Sequence, residues 1–316
     1  MPEINNPHDR GYKSLLASEE IFLELLQSFV NMGWVSQIDP EEIIRLDKSY
    51  ILQDFSEKEA DLVYRLKIKD QEVIFYLLME LQSTVDFQMP YRLLLYMVEI
   101  WRDILKNADP EIVGRKDFRL PVIVPIVLYN GKDKWTACLQ FKETLAEAEL
   151  FTEYLVNFKY ILIDVNRYEK RTLMDLANLI GSVFLLDQTI NYKEYCSRLL
   201  GIAPVLRKFS PKSFQLFINW LKLVSSVGLP EQTKNEIVKI LEASNPEEVE
   251  KMVSNMEHTL GNIYEEGKND GLIAGKIEGK LEVARNLLHK NIAEDIVVET
   301  TGLSIEQIRK IKAEIH

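Results

Sequence analysis

Val-Ile-Phe-Tyr-Leu-Leu-Met, at residues 73–79, is the stretch that decides the fold, and Glu80, Leu81 and Gln82 follow it directly. A short, uninterrupted apolar run is typical of a strand that is buried on both faces. An ionised carboxylate at the end of such a strand costs several kcal/mol unless a partner group or a metal ion balances its charge. Glu80 therefore marks the end of this strand as a candidate site.

A second carboxylate, Asp61, opens the preceding strand, which is predicted over residues 61–68. The two strands form a hairpin, so Asp61 and Glu80 meet at one end of the sheet. Because strand side chains alternate between faces, Gln82 shares the side of Glu80 while Leu81 faces the core. Two carboxylates and an amide that converge on one point predict a site for Mg²⁺ or another hard divalent cation, with the Leu81 carbonyl as a third ligand.

Bulk composition limits the classes of protein to consider. The chain has 316 residues, of which 47% are apolar, and this predicts one large or two smaller domains. The net charge of −11 weighs against a protein that binds nucleic acids or other polyanions nonspecifically, because neutralising phosphates needs Lys and Arg. A metal-dependent nuclease, however, can be acidic overall. The apolar runs are too short to span a bilayer, the N-terminus carries no secretory signal and two distant cysteines lack metal-ligand spacing. These features predict a cytoplasmic protein without a membrane partner.

Outward from the hairpin, periodicity predicts an α/β domain over residues 1–165 and a helical domain over 166–257. Ser18 is the expected N-cap of the first long helix, and Pro90 fits the first turn of the helix after the hairpin. Helices are predicted over 18–32, 91–106, 170–187, 191–203, 212–227, 231–242 and 246–256, and further strands over 43–52, 121–129 and 158–165.

The tail, residues 258–316, is predicted as a glycine-periodic helix followed by a terminal helical hairpin. Its glycines recur every four residues, although each costs about 1 kcal/mol relative to alanine in a helix. Close approach of a second helix would explain them, and a self-dimer through this helix is the simplest version. The alternative is a flexible connector. The residues that keep the seven-residue spacing of a helix pair are Leu260, Gly267, Ala274, Leu281 and Leu288.

The terminal hairpin is predicted over residues 292–315, with a turn at 301–304 and Ser304 as the cap of its second helix. The turn resembles that of a helix-turn-helix, and the second helix carries Arg309, Lys310 and Lys312. Acidic residues lie on the same helix. Packing on itself or on a partner is therefore the alternative to reading DNA.

The spacing of these residues resembles a known nuclease superfamily. An Asp on one strand and Glu-x-Gln on the next match the PD-(D/E)XK signature, and further motifs over residues 7–165 are similar to the Rpn family. That bacterial family comprises recombination-promoting nucleases that are also labelled putative transposases. The motifs are His8-Asp9-x-x-Tyr12-Lys13, Asp61-Leu62-Val63-Tyr64-Arg65, Glu80-Leu81-Gln82-Ser83-Thr84-x-Asp86, Met89-Pro90-Tyr91-Arg92-Leu93, Tyr96 with Trp101, and Pro121-Val122-x-Val124-Pro125-Ile126-Val127-Leu128-Tyr129-Asn130-Gly131.

The resemblance implies a metal-dependent DNA endonuclease on a restriction-endonuclease-like αβββαβ core, followed by an all-helical C-terminal half. By position, Asp61 and Glu80 match the metal-binding acids, and Gln82 is the third catalytic position. The superfamily usually has Lys where this chain has Gln82, and Gln brings no charge. The general base and the charge-stabilising group are therefore unassigned.

Secondary candidates come from the same motifs. Asp9 matches an N-terminal acid that can bind metal through water, and its alternative role is a helix cap. Lys13 and Arg92 are candidates for phosphate contact, although Arg92 can instead pair with a strand-end carboxylate and hold the hairpin against the helix. His8 is expected to be a hydrogen-bonded structural residue. Asp164 ends its own apolar strand and invites the same burial argument as Glu80.

Two further interpretations of the motif residues concern structure. Asp86 is predicted to cap a turn or a helix, and its alternative role is a residue of the site. The aromatic residues at helical or strand spacing are predicted to lie in the core rather than to stack on bases, and they are Tyr91, Tyr96, Trp101 and Tyr129.

Three functional hypotheses follow. The first is a Mg²⁺-dependent endonuclease acting on DNA, linked to recombination, mobile DNA or defence. The second is a non-catalytic DNA- or protein-binding regulatory protein on a degenerate nuclease core. The third is an interaction protein whose tail drives assembly into a homo-oligomer. Strand transfer is not predicted, because no end-recognition element or D-D-E arrangement is evident.

Overall fold

A computed structural model of the chain describes residues 7–30, 32–46, 62–68, 71–80, 84–188, 190–224, 231–242, 255, 258, 261, 272 and 275–315. The chain divides into two compact units, residues 1–254 and 255–316. The predicted further division of the first unit at residue 165 stays a prediction.

A single mixed sheet organises the first unit. Its five strands lie in the order β1-β2-β3-β4-β5, where β1, β2 and β3 form an antiparallel meander and β3, β4 and β5 are parallel. The predicted hairpin is therefore confirmed as β2 and β3. The strands are β1 (Ile44–Leu46), β2 (Leu62–Ile68), β3 (Gln71–Glu80), β4 (Val122–Tyr129) and β5 (Ile161–Asp164).

The helices of the first unit precede, interrupt and follow the sheet. The prediction of mixed α/β structure followed by a helical region is confirmed. They are α1 (Pro7–Leu16), α2 (Glu19–Phe29), α3 (Met89–Asn107), α4 (Pro110–Val113), α5 (Lys170–Asp175), α6 (Leu179–Asp187), α7 (Tyr192–Gly201), α8 (Ala203–Leu206), α9 (Pro211–Val224) and α10 (Glu231–Glu242). Within the described residues, no helix has the length and apolar character needed to cross a bilayer.

The prediction of one continuous helix over 170–187 is wrong. Ala177 has a φ of +48°, in the left-handed region that interrupts a right-handed helix. The side chain of Asn178 then accepts a hydrogen bond from the backbone N–H of Gly181 at 2.9 Å and caps α6. A strong local cap therefore overrides the periodic apolar pattern. The predicted helix over 246–256 lies almost entirely outside the described residues.

Helices cover both faces of the sheet. Val63 and Ile74 belong to the apolar cluster that contains the buried side of α3. Their neighbours Tyr64 and Phe75 pack instead against Phe22 of α2, which stacks on Tyr64 with ring centroids 3.9 Å apart. Because adjacent strand residues face opposite ways, α2 and α3 lie on opposite sides of the sheet.

The aromatic residues follow their predicted roles with one exception. Tyr96 and Tyr129 are buried in the cluster under α3, and Trp101 is half-buried and donates from Nε1 to the Pro121 carbonyl at 2.9 Å. Tyr91 is 52% exposed, so its predicted core position is wrong. It lies in the first turn of α3, opposite the helix face that buries Leu93 and Tyr96.

The described residues from 275 onward in the second unit form three helices around a small core of their own. These are α11 (275–289), α12 (Glu294–Thr301) and α13 (Ile305–Ile315). Leu288 of the predicted seven-residue seam is buried against α12 and α13, and Leu281 packs at the edge of the same cluster. Leu281 and Leu288 therefore pack in the core of their own unit. Leu260, Gly267 and Ala274 lie outside the described residues.

The terminal hairpin is confirmed, including its cap. Gly302 ends α12 with a φ of +65°, a conformation that favours glycine. Ser304 Oγ then accepts from the backbone N–H of Gln307 at 3.2 Å, and Gln307 Oε1 accepts from the Ser304 N–H at 2.9 Å. This reciprocal pair is a capping box. Arg309 and Lys312 both bind Glu294 of α12, so their charges serve the hairpin itself.

Replacing Ser304 with Ala should destabilise the hairpin by about 1 kcal/mol, because the first turn of α13 loses its cap. Native-state hydrogen exchange of the α13 amides measures the change. Ser304→Thr keeps the hydroxyl and serves as the control. Equal protection of α13 in Ser304→Ala and the parent chain would contradict the role of the capping box.

Candidate functional site

Three neighbouring parallel strands end at the same edge of the sheet. Glu80 is the last residue of β3 and is in register with Tyr129, the last residue of β4. Tyr129 is in turn in register with Asp164, the last residue of β5. The backbone therefore brings the ends of β3, β4 and β5 into one row, which is here called the strand-end row (Glu80, Tyr129 and Asp164).

The predicted ligands are only partly covered by the described residues. Glu80 is described by its backbone position alone. Asp61, Leu81 and Gln82 lie outside the described residues, so the predicted metal and catalytic roles of all four stay predictions. No group of three His, Cys, Asp or Glu side chains within the described part of the chain has the arrangement of a metal site.

Asp164 is the described acid of the strand-end row. Its carboxylate is 10% exposed, and Arg167 Nε lies 3.6 Å from Oδ2. Burial raises the pKa of the Asp164 carboxyl. Hydrogen bonds from the backbone of Trp135 and Asn166 and the positive charge of Arg167 lower this pKa, but the effect of burial is larger. The sequence singles out Asp164 without locating it, and the register of the strands places it beside the end of β4.

A buried carboxylate lies beside this row. Asp187, the last residue of α6, has a fully buried side chain. Its Oδ2 accepts from the Tyr12 hydroxyl at 2.8 Å and from Asn130 Nδ2 at 3.0 Å, and its Oδ1 lies 3.2 Å from His8 Nδ1. Burial, together with the nearby Asp187 charge and hydrogen bond, raises the pKa of Tyr12 well above its usual value. We call Asp187, His8, Tyr12 and Asn130 the Asp187 cluster.

Sequence reasoning missed Asp187. Asp187 is the last residue of the helix predicted over 170–187, and it belongs to none of the motifs. Its partners were singled out, because His8 and Tyr12 belong to the first motif and Asn130 follows the strand at 121–129. His8 contacts the buried carboxylate of Asp187, and its role as a hydrogen-bonded structural residue stays a prediction.

The turn after β4 is built by close contacts. Asn166 Nδ2 donates to the carbonyls of Asn130 at 2.5 Å and Gly131 at 3.1 Å. A side chain at Gly131 would place its Cβ 2.1 Å from the Tyr129 hydroxyl, so only glycine fits here without a shift of that ring. Tyr129 itself donates to the Asp133 carbonyl at 3.0 Å. The turn therefore holds Asn130 rigidly beside the strand-end row.

Helix α1 brings the first motif to this edge. Asp9 lies in the first turn of α1, directly after His8, where a negative charge is favourable. Its side chain is outside the described atoms, so its metal-binding role stays a prediction. Lys13 lies in the last turn of α1 and is half-buried, and its phosphate contact likewise stays a prediction.

Arg92 makes a structural contact. Its Nη1 forms an ion pair with Asp86, in the segment between β3 and α3. Asp86 also accepts from the backbone N–H of Gln88 at 2.8 Å, so its predicted turn-capping role is confirmed. Asp86 lies in the loop before α3 and not at a strand end, so this partner differs from the strand-end carboxylate expected for Arg92, and the contact of Arg92 with phosphate stays a prediction.

The chain is similar to a family of putative transposases and to proteins named after recombination-promoting nucleases. Residues 6–216 match the family described as "Putative transposase, YhgA-like". The chain is 23% identical over 311 residues to the "Inactive recombination-promoting nuclease-like protein RpnE" of Escherichia coli (strain K12), covering 95% of each chain. It is 19% identical over 166 residues to the "Recombination-promoting nuclease RpnD" of Escherichia coli O157:H7, covering 51% of this chain and 59% of that protein. No solved structure matches the chain.

Proposed function

This chain belongs to the family described as putative transposase, YhgA-like, and on that premise we propose that it is a metal-dependent endonuclease that hydrolyses DNA phosphodiester bonds. The observation that carries the proposal is the position of Glu80, which closes β3 in the strand-end row. A carboxylate at the end of a central strand needs a partner group or a metal ion to balance its charge, and the proposal assigns a metal ion to Glu80. The name of RpnD, a recombination-promoting nuclease, supports the link to recombination.

The order of elements supports the finer assignment of the core. One helix, three meandering strands, a crossover helix and a parallel strand follow one another as α2, β1, β2, β3, α3 and β4. This succession is the αβββαβ order expected of a restriction-endonuclease-like core, with β5 as an additional strand. We propose that core for residues 1–165.

The residues that would hold the metal are Asp61, Glu80 and the Leu81 carbonyl. Carboxylate and carbonyl oxygens suit Mg²⁺, and this chemistry of the donor set is the fit on which the proposal depends. A bound cation would neutralise charge at the scissile phosphate and make water a better nucleophile. Gln82 would orient the attacking water or the phosphate by hydrogen bonds.

Nicking of supercoiled plasmid tests the proposed activity. We expect open-circular product in Mg²⁺ or Mn²⁺ and none when EDTA removes the metal. The substrate is DNA, and we place the protein in the cytoplasm. Cys138 and Cys196 are thiols and form no disulfide with each other, which suits a reducing compartment.

A second candidate function has a specific observation in its favour. The relative that is similar over 95% of both chains is named inactive, and Gln82 supplies no charge where the nuclease superfamily usually has Lys. In this second function the chain binds DNA or a protein without cutting. Purified protein that shifts DNA in a gel but leaves plasmid intact with Mg²⁺, Mn²⁺ and Ca²⁺ would favour it over the nuclease.

Self-association through the C-terminal helix is the proposed assembly. Gly275 and Gly279 lie on α11, and apart from the adjoining residues and the backbone of the same helix, no heavy atom of the described residues lies within 4 Å of the point that a Cβ would occupy at either glycine. Val283 lies on the same helix face and is exposed. This face would let a second copy's α11 approach closely, and the dimer gives a reason for keeping glycine inside a helix.

Replacing both Gly275 and Gly279 with Ala separates the two interpretations of the tail. The change should stabilise the isolated helix by about 1 kcal/mol per site and weaken the dimer, because each new methyl holds the helices apart. Light scattering across a concentration series measures the dimer, and Gly33→Ala, at an open site in the first unit, is the control. A dimer of unchanged affinity in the double variant would contradict this interface.

A further inference from the structure

We infer that Asp187 is a positioning residue for the proposed nuclease site, which it serves by holding α1 and the turn after β4 against the strand-end row. The inference rests on the proposed function and deepens it, because it assigns a role to a residue outside the three motif positions Asp61, Glu80 and Gln82. Its basis is a set of contacts between segments that are far apart in the chain.

Asp187 joins three elements through one carboxylate. Tyr12 and His8 come from α1, and Asn130 comes from the turn that follows β4. Tyr12 lies 175 residues from Asp187 in sequence, and Asn130 lies 57 residues away. One side chain therefore fixes the mutual placement of α1, α6 and the carboxyl end of β4.

Stability alone does not account for an acid at this place. The side chain is fully buried, and it lies at the C-terminal end of α6, where the helix dipole disfavours negative charge. An apolar side chain of similar volume would avoid the cost of removing a carboxylate from water. The carboxylate contributes orientation, because its directional hydrogen bonds hold the donors Tyr12 and Asn130 in defined positions.

The cluster is adjacent to both parts of the proposed site. Asn130 directly follows Tyr129, which is in register with Glu80. His8 directly precedes Asp9, and its side chain is 18% exposed, so the cluster reaches the surface at this edge. A displacement of Asp187 would shift α1 relative to the end of β3. A misplacement of about 1 Å can cost about 10²-fold in rate.

Asp187→Asn is the test, since it keeps the shape of the side chain and removes one acceptor. An Asn whose oxygen takes the Oδ2 position still accepts from Tyr12 and Asn130, but its NH2 group then replaces the oxygen that lies 3.2 Å from His8 Nδ1. We expect kcat for plasmid nicking to fall about 10²-fold and KM for DNA to change less than about threefold, because the misplaced groups act on the reaction and not on general DNA binding. Hydrogen exchange should quicken in α1 and stay unchanged in α3.

Two tyrosines provide a matched pair of controls. Tyr12→Phe removes a buried hydroxyl that donates to Asp187. Tyr160→Phe removes a buried hydroxyl that accepts from Trp135 Nε1 and donates to the Cys138 carbonyl, and neither of these partners belongs to the Asp187 cluster. Both variants should melt at lower temperature than the parent chain. Only Tyr12→Phe should lower kcat.

The outcomes separate this inference from the proposed function. A parent chain that cuts, with an Asp187→Asn variant of unchanged kcat and KM, would overturn the positioning role and leave the nuclease intact. An equal loss of kcat in Tyr12→Phe and Tyr160→Phe would also overturn it, because the effect would then follow stability. A parent chain that fails to cut DNA with every metal tested would refute the proposed function, and this inference with it.

Discussion

Replacing Glu80 with Gln is expected to lower the rate of Mg²⁺-dependent DNA nicking about 10³-fold or more. The substitution keeps the size of the side chain and removes the charge that would hold the cation at the end of β3. Asp61→Asn should cause a loss of similar size. The double variant should be little worse than either single variant, since the two acids act as one unit.

Glu72→Gln is the matched control for this prediction. Glu72 lies on the same strand, β3, eight residues before Glu80 and therefore about 26 Å away along the strand. The same chemical change at this position should leave the nicking rate unchanged. Nicking by Glu80→Gln at the parent rate in saturating Mg²⁺ would show that the site is wrongly assigned.

Replacing Phe22 with Ala should lower the free energy of unfolding of the first unit by about 3–5 kcal/mol. Phe22 is fully buried on α2, where it stacks on Tyr64 and meets Phe75 edge-on. Removing the ring leaves a cavity between α2 and the sheet that these two neighbours cannot fill. Urea denaturation followed by circular dichroism measures the change.

Phe87→Ala makes the same chemical change at an exposed position. Phe87 is 68% exposed in the segment that precedes α3. Its replacement should change stability by less than about 0.5 kcal/mol. A loss at Phe87 as large as that at Phe22 would contradict the packing of α2 on this face of the sheet.

The hairpin and the strands could be predicted from the sequence because their signals are local. The apolar run at 73–79 lies inside β3, and the run at 121–129 lies almost entirely inside β4. Pro90 lies in the first turn of α3 and Ser304 caps α13 as predicted, because each signal acts within one turn of its helix. Ser18 occupies the N-cap position of α2 but makes no side-chain cap bond.

The parts of the site that could not be predicted depend on contacts between distant segments. No local pattern shows that Asp164 ends in the same row as Glu80, because the order of parallel strands is set by the whole sheet. Asp187 gave no signal, since its partners lie on α1 and after β4. The break at Ala177 was hidden by an apolar pattern that continues across it.

Whether the chain cuts DNA or only binds it depends on Gln82 and on the two acids of the hairpin, Asp61 and Glu80. Gln82 provides no charge, and the Asp187 cluster, which includes the residue that follows β4, is not a set of metal ligands among the described side chains. The nuclease therefore depends on the two acids of the hairpin. The non-cutting alternative requires that they no longer share a cation.

A crystal of the parent chain soaked in Mn²⁺ and measured at the manganese absorption edge tests this claim most directly. We predict one anomalous peak at the end of β3, with carboxylate oxygens of both Asp61 and Glu80 within about 2.0–2.6 Å of it. A peak that is absent there, with the two acids on opposite faces of the sheet or each paired to its own arginine, would contradict the shared cation.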